Sequence, residues 1–272
     1  MAVEASPIVR LNQYRDSALE AFDDNLQRII QRAQTATIDY VMARLEIVDG
    51  VITRSAGNMR LLRRLPTIFM KQLDVAGFNP LVNGFISQFP AHLPSIQESL
   101  DVISQGMKTP LPKLGFTATD LNVLKGVAAT TAQQLRDIVE TESKKALSRV
   151  LFSVGGAKFS DMVAAIQEGT GMTLARAKVV ADTSQAAFYR IALERQYERI
   201  QATRPERPLL YRYTGPNDRR CRPFCHKIKN ASQKTWTREE IDKLDNHQIP
   251  NVFITGGGFN CRHQWDIAGI TA

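Results

Sequence analysis

The chain has 272 residues, 43% hydrophobic and 23% charged, with 35 Lys and Arg against 27 Asp and Glu, for a formal charge of +8. Such values exclude wholesale disorder, do not suggest a coiled-coil rod, and leave room for one large domain or two ordinary ones with a real core. No run approaches the roughly 18 to 20 apolar residues of a membrane span, and Met1 to Pro7 shows neither a basic nor an apolar leader region, so residence in a cytoplasm is expected. The positive charge favours encounter with polyanions in a salt-sensitive way. Aromatic residues are only 7% and do not alternate with basic ones, so contact with phosphates is expected rather than stacking on bases.

From Ser17 to about Leu45, apolar residues (Leu19, Phe22, Leu26, Ile29, Ile30, Ala33, Ile38, Val41) recur at three- and four-residue steps, the pattern of an amphipathic helix. Val48-Asp-Gly50 breaks it. Ile52 to Phe69 repeats the helical spacing with a cationic face of Arg54, Arg60, Arg63 and Arg64, and antiparallel contact between these two helices is the economical arrangement. Five prolines between Gly77 and Leu114 (Pro80, Pro90, Pro94, Pro110 and Pro112) predict short helices in an interrupted connector, with a boundary near residue 110.

Thr117 to Asp120 predicts an N-cap for a long helix through Val150, stopped by Gly155-Gly156. Ser160 is expected to cap a short helix that ends at Gly169-Thr-Gly171. Thr173 would cap a separate helix from Leu174 to about Ile200, the longest uninterrupted element of the second half. Beyond Arg204-Pro-Glu-Arg-Pro208 the texture changes. Leu209 to Tyr213 is β-prone, Thr237 can cap a short helix through Leu244, and Val252 to Ile254 again reads as strand. The expected class is therefore mainly α: helical regions over 1–110 and 111–203, then a small α+β C-terminal module over 204–272.

All three cysteines, Cys221, Cys225 and Cys261, fall in that module, beside His226 and His263. Cys221, Cys225, Cys261 and His263 have the donor types of a tetrahedral Cys3His zinc site, although the Cys-x3-Cys spacing is looser than usual. Three other readings stay open: a Cys225–Cys261 disulfide, buried free thiols, or a catalytic cysteine with histidine. Arg219, Arg220, Arg222, Lys227, Lys229 and Lys234 make a basic stretch able to track phosphates or to lie solvated on the surface. Gly256-Gly257-Gly258 lacks the following Lys-Ser/Thr of a P-loop and reads as a turn needing positive φ. Asp218 reads as a turn cap or a partner for Arg222, and His247 as a solvated loop residue.

The order Tyr213-Thr-Gly-Pro-Asn-Asp218-Arg-Arg-Cys-Arg222-Pro-Phe-Cys225, a short Thr-x-Glu-Glu helix, then Gly256-Gly-Gly-Phe-Asn260-Cys-Arg-His263-Gln-Trp265, resembles the C-terminal signature of the Mu F-like minor head proteins of tailed phages. The segment Gly169 to Thr183 is similar to the glycine-flanked helix that precedes it in that family. The resemblance spans about residues 110 to 272. Asp218, Arg222, Cys225, Cys261, Arg262 and His263 match, with Gly257 in the glycine turn, while Cys221 departs from the usual pattern. It implies a low-copy, non-enzymatic protein of the phage head, made in the host cytoplasm. Its implied partners are the portal, capsid and scaffold proteins and, through its charge, packaged double-stranded DNA. Its expected work is in head assembly, packaging or genome delivery. The competing expectation is an enzyme on the C-terminal module, either metal-dependent and acting on nucleic acid or ADP-ribosyltransferase-like.

Overall fold

The computed structural model describes residues 7–107, 110–153 and 158–271, with backbone alone considered for 7–15 and 149–153. Helices dominate, as the composition and periodicity predict, and two small antiparallel sheets complete the fold. Two compact units interleave along the chain: a first of 1–17, 87–131 and 181–272, and a second of 18–86 and 132–180. The 204–272 module thus belongs to a unit that also draws on residues upstream.

In the second unit, α1 (Pro7–Met42) buries Phe22, Leu26, Ile30, Ala33, Thr37 and Val41, one stripe at helical spacing. Residues 47 to 52 do not continue a helix. β1 (Ile47–Val48) and β2 (Val51–Ile52) form a hairpin around Asp49 and Gly50, both at positive φ, as a two-residue turn of this kind requires. The helix expected from Ile52 to Phe69 is accordingly two helices. Ser55 caps α2 (Ala56–Arg63) by accepting from the Asn58 N–H, and Pro66 belongs to the first turn of α3 (Leu65–Val75), where its missing N–H costs nothing. α4 (Phe78–Ser87) follows, with the Phe85 ring tilted against Phe22 at 4.4 Å between ring centres.

Two prolines of the next stretch sit at helix starts. One 3-10 turn and α5 (Leu93–Gln105) carry Pro90 and Pro94 in their first residues. α6 (Ala118–Ser153) begins where predicted: the Thr117 hydroxyl accepts from the Asp120 N–H at 3.2 Å, and the Asp120 carboxylate accepts from the Thr117 N–H at 2.9 Å. The predicted stop at Gly155-Gly156 lies outside the described residues.

α7 (Phe159–Ala202) corrects the sequence reading most clearly, running 44 residues straight through Gly169-Thr-Gly171. Neither glycine ends the helix, and Thr173 does not cap a new one. The Thr170 and Thr173 hydroxyls instead donate to the carbonyls of Ile166 (2.7 Å) and Gly169 (3.2 Å), so both are satisfied inside a continuous helix. Gly169 is there for close packing. A Cβ on it would lie 2.5 Å from the Ala146 Cβ of α6.

The rest of the first unit is the module itself. β3 (Leu209–Thr214) alternates Leu209, Tyr211 and Tyr213 inward and pairs with β4 (Gln264–Ile270). α8 (Pro223–Asn230) and α9 (Arg238–Asp242) lie between them in sequence, α9 with the Thr237–Glu240 capping box. α10 (Val252–Thr255) replaces the strand expected there. Its β-prone residues form one helical turn because the Asn251 side chain accepts from the Ile254 N–H at one end and Gly256, at positive φ, closes the other. Tyr197, Tyr211, Phe253 and Trp265 fill the core, each such burial contributing roughly 1.5–3 kcal/mol.

Candidate metal centre

Three short stretches deliver the ligand-type side chains. Cys221 ends the turn after β3, Cys225 occupies the first turn of α8, and Cys261 and His263 lie just ahead of β4. Pro223 starts α8 at a position where no N–H is lost, which aims Cys225 into the interior. Cys225, Cys261 and His263 are almost wholly buried, Cys221 partly so, and all three cysteines are free thiols.

The donor atoms of Cys221, Cys225 and His263 lie within 4.8 Å of one another, a grouping able to hold a metal ion. Cys261 stands outside that mutual set, yet its Sγ is 3.8 Å from both the Cys225 Sγ and the His263 Nδ1. The Cys221 Sγ is 3.6 Å from His263 Nε2. Metal–sulfur bonds of ~2.3 Å in a tetrahedron give edges of ~3.8 Å, the spacing of Cys261 Sγ to Cys225 Sγ and to His263 Nδ1, whereas Cys221 approaches the other ring nitrogen. His263 Nε2 also lies 2.7 Å from the Pro216 carbonyl. A carbonyl only accepts, so Nε2 carries the proton and Nδ1 presents its lone pair towards Cys261, an orientation of the kind outer partners impose on ligating histidines.

The surroundings stabilise negative sulfur at Cys261. Its Sγ accepts from the Gly257 N–H at 3.0 Å and the His263 N–H at 3.5 Å. The hydrogen bond from Cys225, with the Arg190 charge and Tyr213, holds the Cys261 thiol far below its ordinary range, against burial. The same hydrogen bond, with burial, pushes Cys225 up, so the pair retains one proton. The Tyr213 hydroxyl sits 3.4 Å from Cys225 Sγ and 3.5 Å from Cys261 Sγ, and its ring stacks on His263 at 5.1 Å.

Glycine is required around this cluster for space as much as for φ. A Cβ on Gly257 would lie 2.3 Å from the Cys225 Sγ, although Gly257 itself is not at positive φ. Only Gly256 and Gly258 of the triplet need the left-handed region, which narrows the expected turn argument to those two. Gly215, at φ 137°, has the His263 ring where a side chain would go.

Asp218 caps its turn by accepting from the Arg220 N–H at 3.0 Å, as expected, but its charged partner is Arg262, in a two-pronged pair at 2.6 and 2.9 Å. Hydrogen bonds from Arg262 hold the Asp218 carboxyl at about 2. Arg222 instead donates to the Gln248 side chain at 2.5 Å, which corrects the expected Asp218–Arg222 pair. Arg219 and Arg220 are exposed in the turn, Lys227 and Lys229 occupy the last turn of α8, and Lys234 follows it. His247 is exposed beside Asp245, as read.

Four contributors receive no site role in the sequence reading: Tyr213 and Gly215, which appear there only within the signature, Arg190 and Asn246. Arg190 comes from α7, is buried, and donates to the carbonyls of Ile254 (3.0 Å) and Cys261. Its signal was present as one arginine within the apolar face Ala187, Phe188, Ile191. Asn246 ties the glycine turn by donating to the Gly256 carbonyl at 2.8 Å. No protein-family model, curated protein or solved structure matches the chain. No helix among the described residues is long and apolar enough to cross a membrane.

Proposed function

We propose that the chain is a minor head protein of a tailed phage, a virion component rather than an enzyme, whose C-terminal module is locked by a structural zinc ion. Cys221, Cys225, Cys261 and His263 would hold the ion. Bound there it supplies folding energy, because its ligands are assembled only in the folded module. The observation that carries the reading is the convergence of the signature residues on one small core. Tyr213 stacks on His263, Gly257 makes room for Cys225, and Asp218 clasps Arg262. Each serves the integrity of the module. The burial of Cys225, Cys261 and His263 favours structural ligands over groups that meet a substrate.

In this role the basic residues 219–234 contact DNA phosphates, and protein surfaces bind portal, capsid or scaffold during assembly in the host cytoplasm. Quantitative mass spectrometry of purified particles carrying the protein tests the reading. A few copies per particle, retained after removal of loosely attached protein, is the expected result. Absence from particles, or reproducible turnover of nucleic acid or a nicotinamide dinucleotide abolished by His263→Ala, contradicts it.

A further inference from the structure

A groove of about 370 Å³ opens along the outer edge of β3. Trp236 pairs with Tyr211 there through two backbone hydrogen bonds (2.8 and 2.9 Å), placing its indole on the groove wall beside Ile228. With Tyr213, Thr214 and Gly215, three cationic side chains share the lining: Arg212 from the exposed face of β3, Lys229 from the end of α8, and Lys234 from the following loop. The lining contains no carboxylate, and none of the three cations forms an ion pair with one among the described residues. The ammonium groups are nevertheless held in place. Lys229 donates to the Gly215 carbonyl and Lys234 to the Lys229 carbonyl at 3.2 Å, which leaves each two further donors.

We propose that this groove binds a nucleotide unit, its phosphate held by Arg212, Lys229 and Lys234 and its base against Trp236. Cations alone would take any anion. An indole within the same cavity selects a phosphate ester that carries a planar ring, since bases stack on aromatic side chains whatever their sequence. The volume falls in the range of small-ligand pockets. A base paired within a duplex is stacked on its neighbours and cannot reach the wall, so the site takes an unpaired nucleotide, from a single strand or free in solution. Folding here joins what the linear sequence keeps apart: Arg212 and Trp236 lie 24 residues apart and meet across one groove. The inference goes beyond the virion reading and needs neither that reading nor the metal to be correct.

The chain's two tryptophans make the test direct, because Trp265 is buried and Trp236 lines the groove. Intrinsic fluorescence of the full-length protein is titrated with a short oligothymidylate and, separately, with thymidine monophosphate. Saturable quenching is expected. The exposed pair Arg212→Gln/Lys234→Gln should weaken binding about tenfold. It should also reduce the salt dependence of strand binding by about 1.4 in log–log slope, about 0.7 per lost contact. A control of equal charge on exposed helix positions, Lys71→Gln/Lys125→Gln, should stay within about twofold of the parent, the size expected of screened surface charge. Quenching by the oligonucleotide alone identifies a strand, and equal quenching by the mononucleotide identifies a free nucleotide; both support the site. No quenching by either at millimolar concentration, or equal weakening by both charge-matched pairs, overturns it.

Discussion

Across residues 18–86 and 132–180, apolar side chains recur along helices, and no single contact decides the packing: Phe22, Leu26, Leu62, Phe69, Val82, Leu135 and Ile166 are interchangeable in kind. Between 209 and 270 the elements are short, two strands of six and seven residues and helices of eight, five and four, and individual atoms hold them together. There a Gly257 N–H reaches a sulfur, a tyrosine hydroxyl touches two sulfurs, and an arginine ties off two carbonyls. The first region spreads its stability over many similar contacts. The second concentrates it, which is why a metal would matter to one and not to the other.

The comparison breaks most sharply at Cys225. Cys225→Ala should cost the module about 4 kcal/mol or more through loss of the metal and its linked folding energy. The expected outcome is loss of the near-UV tryptophan signal and proteolysis within 209–270, while 18–86 and 132–180 stay protected. A parent-like melt and protease pattern would show that the thiol is a passive filler.

Two glycine substitutions then sharpen the contrast. Gly257→Ala drives a methyl to 2.3 Å from the Cys225 Sγ inside a buried cluster with no slack, and should destabilise by about 3 kcal/mol. Gly169→Ala meets the Ala146 methyl at 2.5 Å, but α6 and α7 can part by a few tenths of an ångström and alanine is the better helix former by about 1 kcal/mol. A net loss of about 1 kcal/mol is expected, read from denaturant midpoints. Equal losses at the two positions would erase the proposed difference between the regions.

The smallest effect belongs to Asp218. Its carboxyl titrates at about 2, below the ordinary 3.8, so the Arg262 tie is fully present above 3.8 and is lost as the pH falls towards 2. Because the pair is partly exposed, its contribution is modest. Asp218→Asn should therefore differ from the parent above pH 4 and converge with it near pH 2, in thermal melts across that range. A difference that grows on acidification would reverse the assigned sign.

Much of this was legible in the residues. A period-3.6 stripe marks α1, apolar and small residues after the Thr117 cap mark α6, the prolines between 77 and 114 announce short helices, Thr237 announces its cap, and clustering of the cysteines points to the module. The failures share a cause. Gly169-Gly171 and Val252–Ile254 were read by local propensity, and in both cases context decided: close contact with Ala146 in one, and caps from Asn251 and Gly256 in the other. Arg190 stands out as an arginine on an apolar face, but its partner Cys261, 71 residues away, is not legible because spacing carries no record of what a helix will lie against.

The thiol cluster is tested most directly by metal content from elemental analysis alongside thiol titration of the purified, non-reduced protein. About one zinc per chain, with thiols that react only after chelation, is the predicted result for a Cys3His site. A metal-free protein whose three thiols titrate freely, or whose Cys225 and Cys261 are lost to a disulfide, would contradict it.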